Sequence, residues 1–156
     1  MDKLFNAILE KKQLSLLMID TMILGFDKDS VLSIESITEL NSKRQSKMSS
    51  GSIQYATSEL PVYTFNRNLN ILVKPSTKNQ FCVSLKHPDN QKLFAIMCDA
   101  IEHYDIENNN IRPIPALNYN PKSPIIAMVK KDSELVFISS AESMQGYINS
   151  QEHKHA

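Results

Sequence analysis

Short apolar runs separated by polar tips recur along most of this chain, the spacing of strands joined by tight turns. "LSLLMI" (14–19) and "MILGF" (22–26) flank Asp20 and Thr21 and predict a hairpin. "SVLSIESITEL" (30–40) keeps Val31, Ile34 and Ile37 apolar and fits either a further strand or a helical turn. "NSKRQSKMSS" (41–50) is polar and reads as a loop, with its lone Met48 exposed. "GSIQYATSELPVYTF" (51–65) predicts a second hairpin with Ala56 and Thr57 at its tip, and "ILV" (71–73) is a brief apolar patch. "FCVSLKHPDNQKLFAIMC" (81–98) predicts a hairpin turning at "KHPDNQ", and "DAIEHYDI" follows it. "ENNNIRPIPALNYNPKSP" (107–124) is rich in turn residues. "PIIAMV", the turn "KKDSE" and "LVFIS" predict the last hairpin. Helical spacing appears only at the ends. Leu4, Phe5, Ile8 and Leu9 predict an amphipathic helix over 1–12, and "AESMQGYINS" predicts a helix over about 140–150. Residues 151–156 read as a frayed tail.

Many short strands with little helix predict an all-β barrel or sandwich. With only 3 glycines, Asn, Asp, Ser and Pro must set most turns. The chain also repeats itself. "LGFDKDSVLSI" (24–34) resembles "FAIMCDAIEHY" (94–104), and "SELPVY" (58–63) resembles "SELVFI" (133–138), in the same order. The repeat implies two small β-barrel subdomains in one domain over 13–150, the first about 13–70 and the second about 71–139. The first core is expected to hold Leu16, Ile23, Phe26, Val31 and Ile53. The second is expected to hold Val83, Phe94, Ile96, Ile101, Ile126 and Phe137.

Composition narrows the function. The 156 residues suit one domain, and 17 Lys+Arg balance 17 Asp+Glu, which argues against nucleic acid as a partner. No apolar run reaches the length of a membrane span, the N-terminus lacks the features of a signal peptide, and cytoplasm is the expected location. A turn centred between Pro88 and Asp89 would set Cys82 opposite Ala95, so Cys82 and Cys98 are expected to be buried free thiols.

The hairpin at 51–65 resembles the most recognisable stretch of the CheW family of chemotaxis coupling proteins, G-[VI]-[IV]-N-L-R-G-x-[VIL]-[VIL]-P-V-[IV]-D-L. Gly51, Pro61 and Val62 match outright, and the apolar positions are kept. "LSLLMIDTMILGFDKDSVLSI" resembles the family's opening hairpin and the segment after it. "LFAIMCDAIEHYDI" is similar to the "aLlVDeVxxvxxI" of its second half, and "PIIAMVKKDSELVFIS" to its closing hairpin. Together these cover roughly residues 14–148. The resemblance implies a mainly all-β, CheW-like fold of two small five-stranded β-barrels with short terminal helices. It implies a non-enzymatic adaptor that links the regulatory domain of a CheA-type histidine kinase to the cytoplasmic tips of chemoreceptors in bacterial chemosensory or surface-motility signalling. Such a protein would be recruited to receptor arrays without inserting into the membrane. The family's Arg-Gly at the hairpin tip is here Ala56-Thr57. In the family that Arg lies at the coupling surface, and neither Ala nor Thr can make its bidentate, charge-assisted contacts. Ile53, Tyr55, Ala56, Thr57 and Glu59 are the candidate protein-binding residues.

Candidate chemistry is sparse. The histidines and cysteines lack zinc-site spacing, there is no phosphate-binding loop or dinucleotide fingerprint, and Asp27 and Asp29 lack an EF-hand continuation. No catalytic residue, metal or cofactor is expected. The competing reading is a small-ligand-binding β-barrel or an enzyme using Asp99, His103 or Cys98. A deep pocket with converging polar groups would favour it, and a shallow groove between two filled barrels would favour the adaptor.

Overall fold

The computed structural model describes residues 13–87, 92–106, 111–113 and 123–154, so the expected helix at 1–12 lies outside the described residues. The expected strands form. The first hairpin is β1 (Gln13–Ile19) and β2 (Met22–Asp27). After a 3-10 turn comes β3 (Val31–Ser36), and a second 3-10 turn, Ile37–Glu39, follows directly. The segment after the first hairpin thus holds both a strand and a helical turn. Next are β4 (Gly51–Tyr55), β5 (Ser58–Phe65) and the two-residue β6 (Ile71–Leu72). Then come β7 (Phe81–Lys86), β8 (Leu93–Cys98) and β9 (Ala100–Asp105). The short β10 (Ile111–Pro113), β11 (Ala127–Lys131) and β12 (Glu134–Ile138) precede a helix, α1 (Ala141–Lys154). Three hairpins turn on two residues and none uses glycine. Positive φ angles fall on Asp20 (46°) and Thr21 (70°), on Ala56 (52°) and on Asp132 (56°). Asp adopts this conformation more readily than Ala or Thr.

Two sheets share one internal order. The first runs β10-β11-β12-β2-β1-β9 and the second β3-β7-β8-β5-β4, with β6 on the side of β5. Without the short β10 and β6, each is five strands of identical plan. A hairpin (β11–β12 or β4–β5) lies parallel to the second strand of another hairpin (β2 or β8), whose first strand (β1 or β7) carries one edge strand (β9 or β3). This order accounts for the repeat in the sequence. "LGFDKDSVLSI" is β2 leading to β3, and "FAIMCDAIEHY" is β8 leading to β9. Both are the points where the chain leaves one sheet for the other. The sheets therefore do not divide near residue 70 as the repeat suggested. The first hairpin belongs with residues 100–138, and residues 31–98 form the other sheet. Local similarity marked the two halves, but strand pairing exchanges pieces between them.

Three buried clusters fill this frame in place of the two expected cores. Inside the first sheet lie Leu14, Leu16, Ile23, Ile126, Val129 and Val136. Inside the second lie Ile53, Leu60, Val62, Cys82, Ala95 and Met97. Between the sheets, and under α1, lie Leu17, Phe26, Phe65, Val83, Phe94, Ile96, Met144 and Ile148, among others. Val31, Ile101 and Phe137 pack on this middle cluster from partly buried positions. Successive strand residues point to opposite faces, so β1, β2, β7 and β8 are covered on both sides. This is why their sequences are almost continuously apolar.

The cysteine register differs from expectation. Cys82 lies opposite Met97, and Phe81 opposite Cys98. The thiols thus point to opposite faces of one sheet, Cys82 into its interior and Cys98 into the middle cluster. Both are free and buried, and burial pushes Cys82 up to about 11 and Cys98 up to about 12. Met48, expected to be exposed, is half-buried against the middle cluster. The C-terminal helix also outlasts the expected boundary at 150. It continues to Lys154 because Glu152, read as part of a frayed tail, has partners. Its Oε1 accepts hydrogen bonds from Ser46 Oγ at 2.5 Å and from the Tyr63 hydroxyl at 3.0 Å.

Candidate protein-binding surface

The β4–β5 hairpin owes its geometry to residues that serve the backbone. Ser52 exchanges two hydrogen bonds with Asn41, at 2.8 and 2.9 Å, and so closes the edge of the second sheet. A Cβ on Gly51 would come within 2.4 Å of the Asn41 carbonyl oxygen and 2.9 Å of Leu40 Cδ1. Only glycine lets that strand approach. Pro61 lies opposite Ser52. Because Ser52 spends its own N–H and C=O on Asn41, the N–H that Pro61 lacks is not missed on this side. Two of the residues that carried the family resemblance, Gly51 and Pro61, therefore have local mechanical reasons.

The candidate contact residues do not share one exposure. Ala56, Thr57 and Ser58 are exposed at the tip, and Gln54 Nε2 donates to the Ala56 carbonyl at 3.2 Å. Tyr55 is half-buried and packs on the interior of the second sheet. Glu59 is half-buried, and its Oε1 accepts from Ser52 Oγ at 2.6 Å. Ile53 is 1% exposed. It cannot touch a partner and instead supports the hairpin from beneath. Apolar character in a hairpin gave no means of separating the inward residue from the outward ones.

The three residues of the competing reading are not brought together. Cys98 faces the middle cluster, with its thiol held protonated by burial. Asp99 follows it at the sheet-to-sheet crossover and works as a brace. Its Oδ2 accepts from Asp20 N at 3.2 Å, its Oδ1 accepts from Asn79 Nδ2 at 2.8 Å, and its N–H donates to the Met18 carbonyl at 2.7 Å. His103 stands exposed on β9, with Nδ1 3.5 Å from Ser15 Oγ on β1. Among the described residues no three His, Cys, Asp or Glu side chains gather as metal ligands would.

Sequence reasoning missed two features. The first is an open depression of about 280 Å³ where the sheets meet, lined by Ser15 of β1, His103 of β9, Lys28, and Val31, Leu32 and Ile34 of β3. The register shifts between Val31 and Ser33, which makes Leu32 the extra residue of a bulge. No sequence feature announces a bulge. Ile34 is 41% exposed there. Ser15, a lone hydroxyl in an apolar strand, was the available signal. The second feature is the seat of the helix. Tyr63, 5% exposed, shares Glu152 with Ser46, and burial above all pushes its phenol up to about 12, with the Glu152 charge adding to the rise.

The sequence matches no family profile and no curated protein. Solved structures do match. The scaffolding protein TtCheW from Thermoanaerobacter tengcongensis is similar to this chain at 15% sequence identity with a TM-score of 0.63. The match covers 83% of this chain and 88% of that one. The likeness establishes the fold. The chain is mainly β, with two curled sheets as half-barrels and a C-terminal helix, in the CheW-like arrangement. Among the described residues no helix is long and apolar enough to cross a membrane.

Proposed function

We propose that this protein is a non-enzymatic scaffold of bacterial chemosensory or surface-motility signalling. It would link the regulatory domain of a CheA-type histidine kinase to the cytoplasmic tips of chemoreceptors, and work in the cytoplasm at receptor arrays. The observation that carries the reading is the likeness to a scaffolding protein over most of both chains. Two features agree with it. The half-barrels are filled and share the middle cluster, so they form a single body able to fix the geometry between two partners. The tip of β4–β5 and the shallow depression between the sheets are separate surfaces of the kind two partners need.

The mechanism is bivalent binding, in which holding two partners at a set separation makes the second encounter effectively intramolecular. The tip lacks the family Arg, so docking there would rest on shape and apolar packing rather than a charged fork. Sedimentation of this protein with the kinase regulatory domain and a receptor-tip fragment tests the reading. A complex of all three is expected. Failure to bind either partner contradicts it.

A further inference from the structure

We propose that Ser46 is a phosphorylation site for a basophilic serine kinase, and that a phosphoryl group there releases the last turn of α1. The loop 41–50 has no part in the scaffold reading, yet it carries Lys43, Arg44 and Lys47 in a chain whose charges balance. In "KRQS" (43–46) two bases stand three and two positions before the serine, a run that a kinase with an acidic substrate groove reads by complementary charge. Such an enzyme takes its substrate as an extended segment. Residues 42–45 are exposed and Ser46 is half-buried. The loop is held at its ends, where Asn41 pairs with Ser52 and the Ser50 N–H donates to the Val62 carbonyl at 2.8 Å. Between them Arg44 Nε donates to the Ser49 carbonyl at 2.9 Å and the Ser46 N–H to Ser49 Oγ at 3.2 Å, a turn that unwinds when the segment extends. "KKDS" (130–133) has the same basic pair but is a poorer site. Asp132 and Glu134 flank its serine, and Lys131 and Glu134 are paired in the hairpin ladder.

The hydroxyl in question anchors the end of the helix. Ser46 Oγ donates to Glu152 Oε1 at 2.5 Å, and the buried Tyr63 donates to the same oxygen at 3.0 Å. In the transfer Ser46 Oγ gives its proton to the kinase's base and bonds to the γ-phosphorus of a nucleoside triphosphate. The bond from that phosphorus to the bridging oxygen breaks, and the diphosphate leaves. A donor is thereby exchanged for about two negative charges set against a carboxylate, an arrangement that repels and disrupts. Glu152 is driven off, and the last turn of α1 loses its tie to the loop. The rest of the helix stays seated. Met144 and Ile148 are buried in the middle cluster, and the Tyr147 hydroxyl donates to the Leu69 carbonyl at 2.5 Å. The modification therefore loosens one end of the helix and leaves the body of the protein intact.

The test uses the full chain without a partner protein, so it stands or falls apart from the scaffold reading. The chain is incubated with ATP and the catalytic subunit of the cyclic-AMP-dependent kinase, a basophilic serine kinase, and the phosphorylated residue is located by mass spectrometry. The expected result is phosphate at Ser46, lost in Ser46→Ala and incorporated faster in Glu152→Ala, where the hydroxyl is no longer tied down. Phosphate at Ser133 or another residue in place of Ser46, or no incorporation in either wild type or Glu152→Ala, would overturn the proposal. Amide hydrogen exchange then reads the consequence. Loss of a charge-assisted hydrogen bond should speed exchange at residues 150–154 about tenfold in the phosphorylated chain, with β7 and β8 unchanged. In Glu152→Lys, whose ammonium attracts the phosphate, phosphorylation should not speed it. Unchanged exchange in phosphorylated wild type, or the same rise in Glu152→Lys, would overturn the proposal.

Discussion

In the second sheet the open edge is closed by backbone. Asn41 and Ser52 exchange two hydrogen bonds, Ile37 and Leu40 roof the interior, and Gly51 lets the strands meet. In the first sheet the short β10 pairs with β11 through Ile111–Pro113, and beyond that pairing side chains join β11 to β9. Lys131 of β11 reaches Glu102 of β9 at 3.1 Å and lies 5.6 Å from the centre of the Tyr104 ring. Backbone closure fixes residue identity, because a Cβ in the wrong place meets a carbonyl that cannot move. Side-chain closure on an exposed surface leaves identity loose, because an exposed ion pair contributes little. Family-like residues should then concentrate at the β4–β5 hairpin, and the strongest match to the CheW pattern is found there.

The largest expected effect comes from Gly51→Ala. We expect a loss of about 4 kcal/mol in urea unfolding, the range of severe backbone clashes. Gly25 in the first sheet is the control. A Cβ there would touch only the side-chain ends of Leu16, Leu14 and Val136, at 3.3 to 3.4 Å. Gly25→Ala should cost about 1–2 kcal/mol as ordinary overpacking. Equal costs at the two glycines would erase the contrast.

Alkaline pH should also act through the second sheet. Cys82, Cys98 and Tyr63 stand on its strands, and burial raises them from 9.0 to about 11, from 9.0 to about 12 and from 10.0 to about 12. Each keeps its proton in the folded state after the unfolded chain has released it. The stabilisation is therefore complete below about pH 9 and is lost as pH climbs through 12. Unfolding midpoints measured along that range should fall. Tyr63→Phe should flatten the part of the fall above pH 10, and a curve identical to wild type would remove Tyr63 from the account.

The hairpin tips give a smaller difference. Ala56 and Asp132 both hold left-handed backbone, at φ 52° and 56°. Ala56→Gly should stabilise by about 1 kcal/mol, and Asp132→Gly by less, because Asp tolerates this conformation better. Smallest of all, Lys131→Gln should leave the melting temperature unchanged in moderate salt. A clear drop would show that side-chain closure of the first sheet matters more than its exposure suggests.

Local patterns made the hairpins legible. The two-residue tips at 20–21 and 56–57 follow from where apolar alternation stops, and the tip at 132–133 lies within the broader expected turn "KKDSE". The repeat was legible too, but its meaning was not, since which strand pairs with which is a long-range choice that local similarity cannot encode. The Cys82 register was misplaced by two residues for a related reason: with Pro88, Asp89 and Asn90 all turn formers, the turn centre had several equivalent positions. Ile53 looked like a contact residue because alternation gives two faces without saying which is inward. Glu152 looked like tail because its partners, Ser46 and Tyr63, are about ninety or more residues away in sequence. The depression between the sheets depends on a bulge, which leaves no local mark, and on a crossover, which the repeat marks without showing which strands it joins.

The most direct test of the scaffold account is a calorimetric titration of the kinase regulatory domain and of a receptor-tip fragment with wild type and with Ala56→Glu. The account predicts that wild type binds, with less salt sensitivity than an Arg-mediated contact would show. It predicts that Ala56→Glu weakens association while its melting temperature stays that of wild type, as befits an exposed tip. No binding by wild type, or equal binding of both partners by Ala56→Glu, would contradict it.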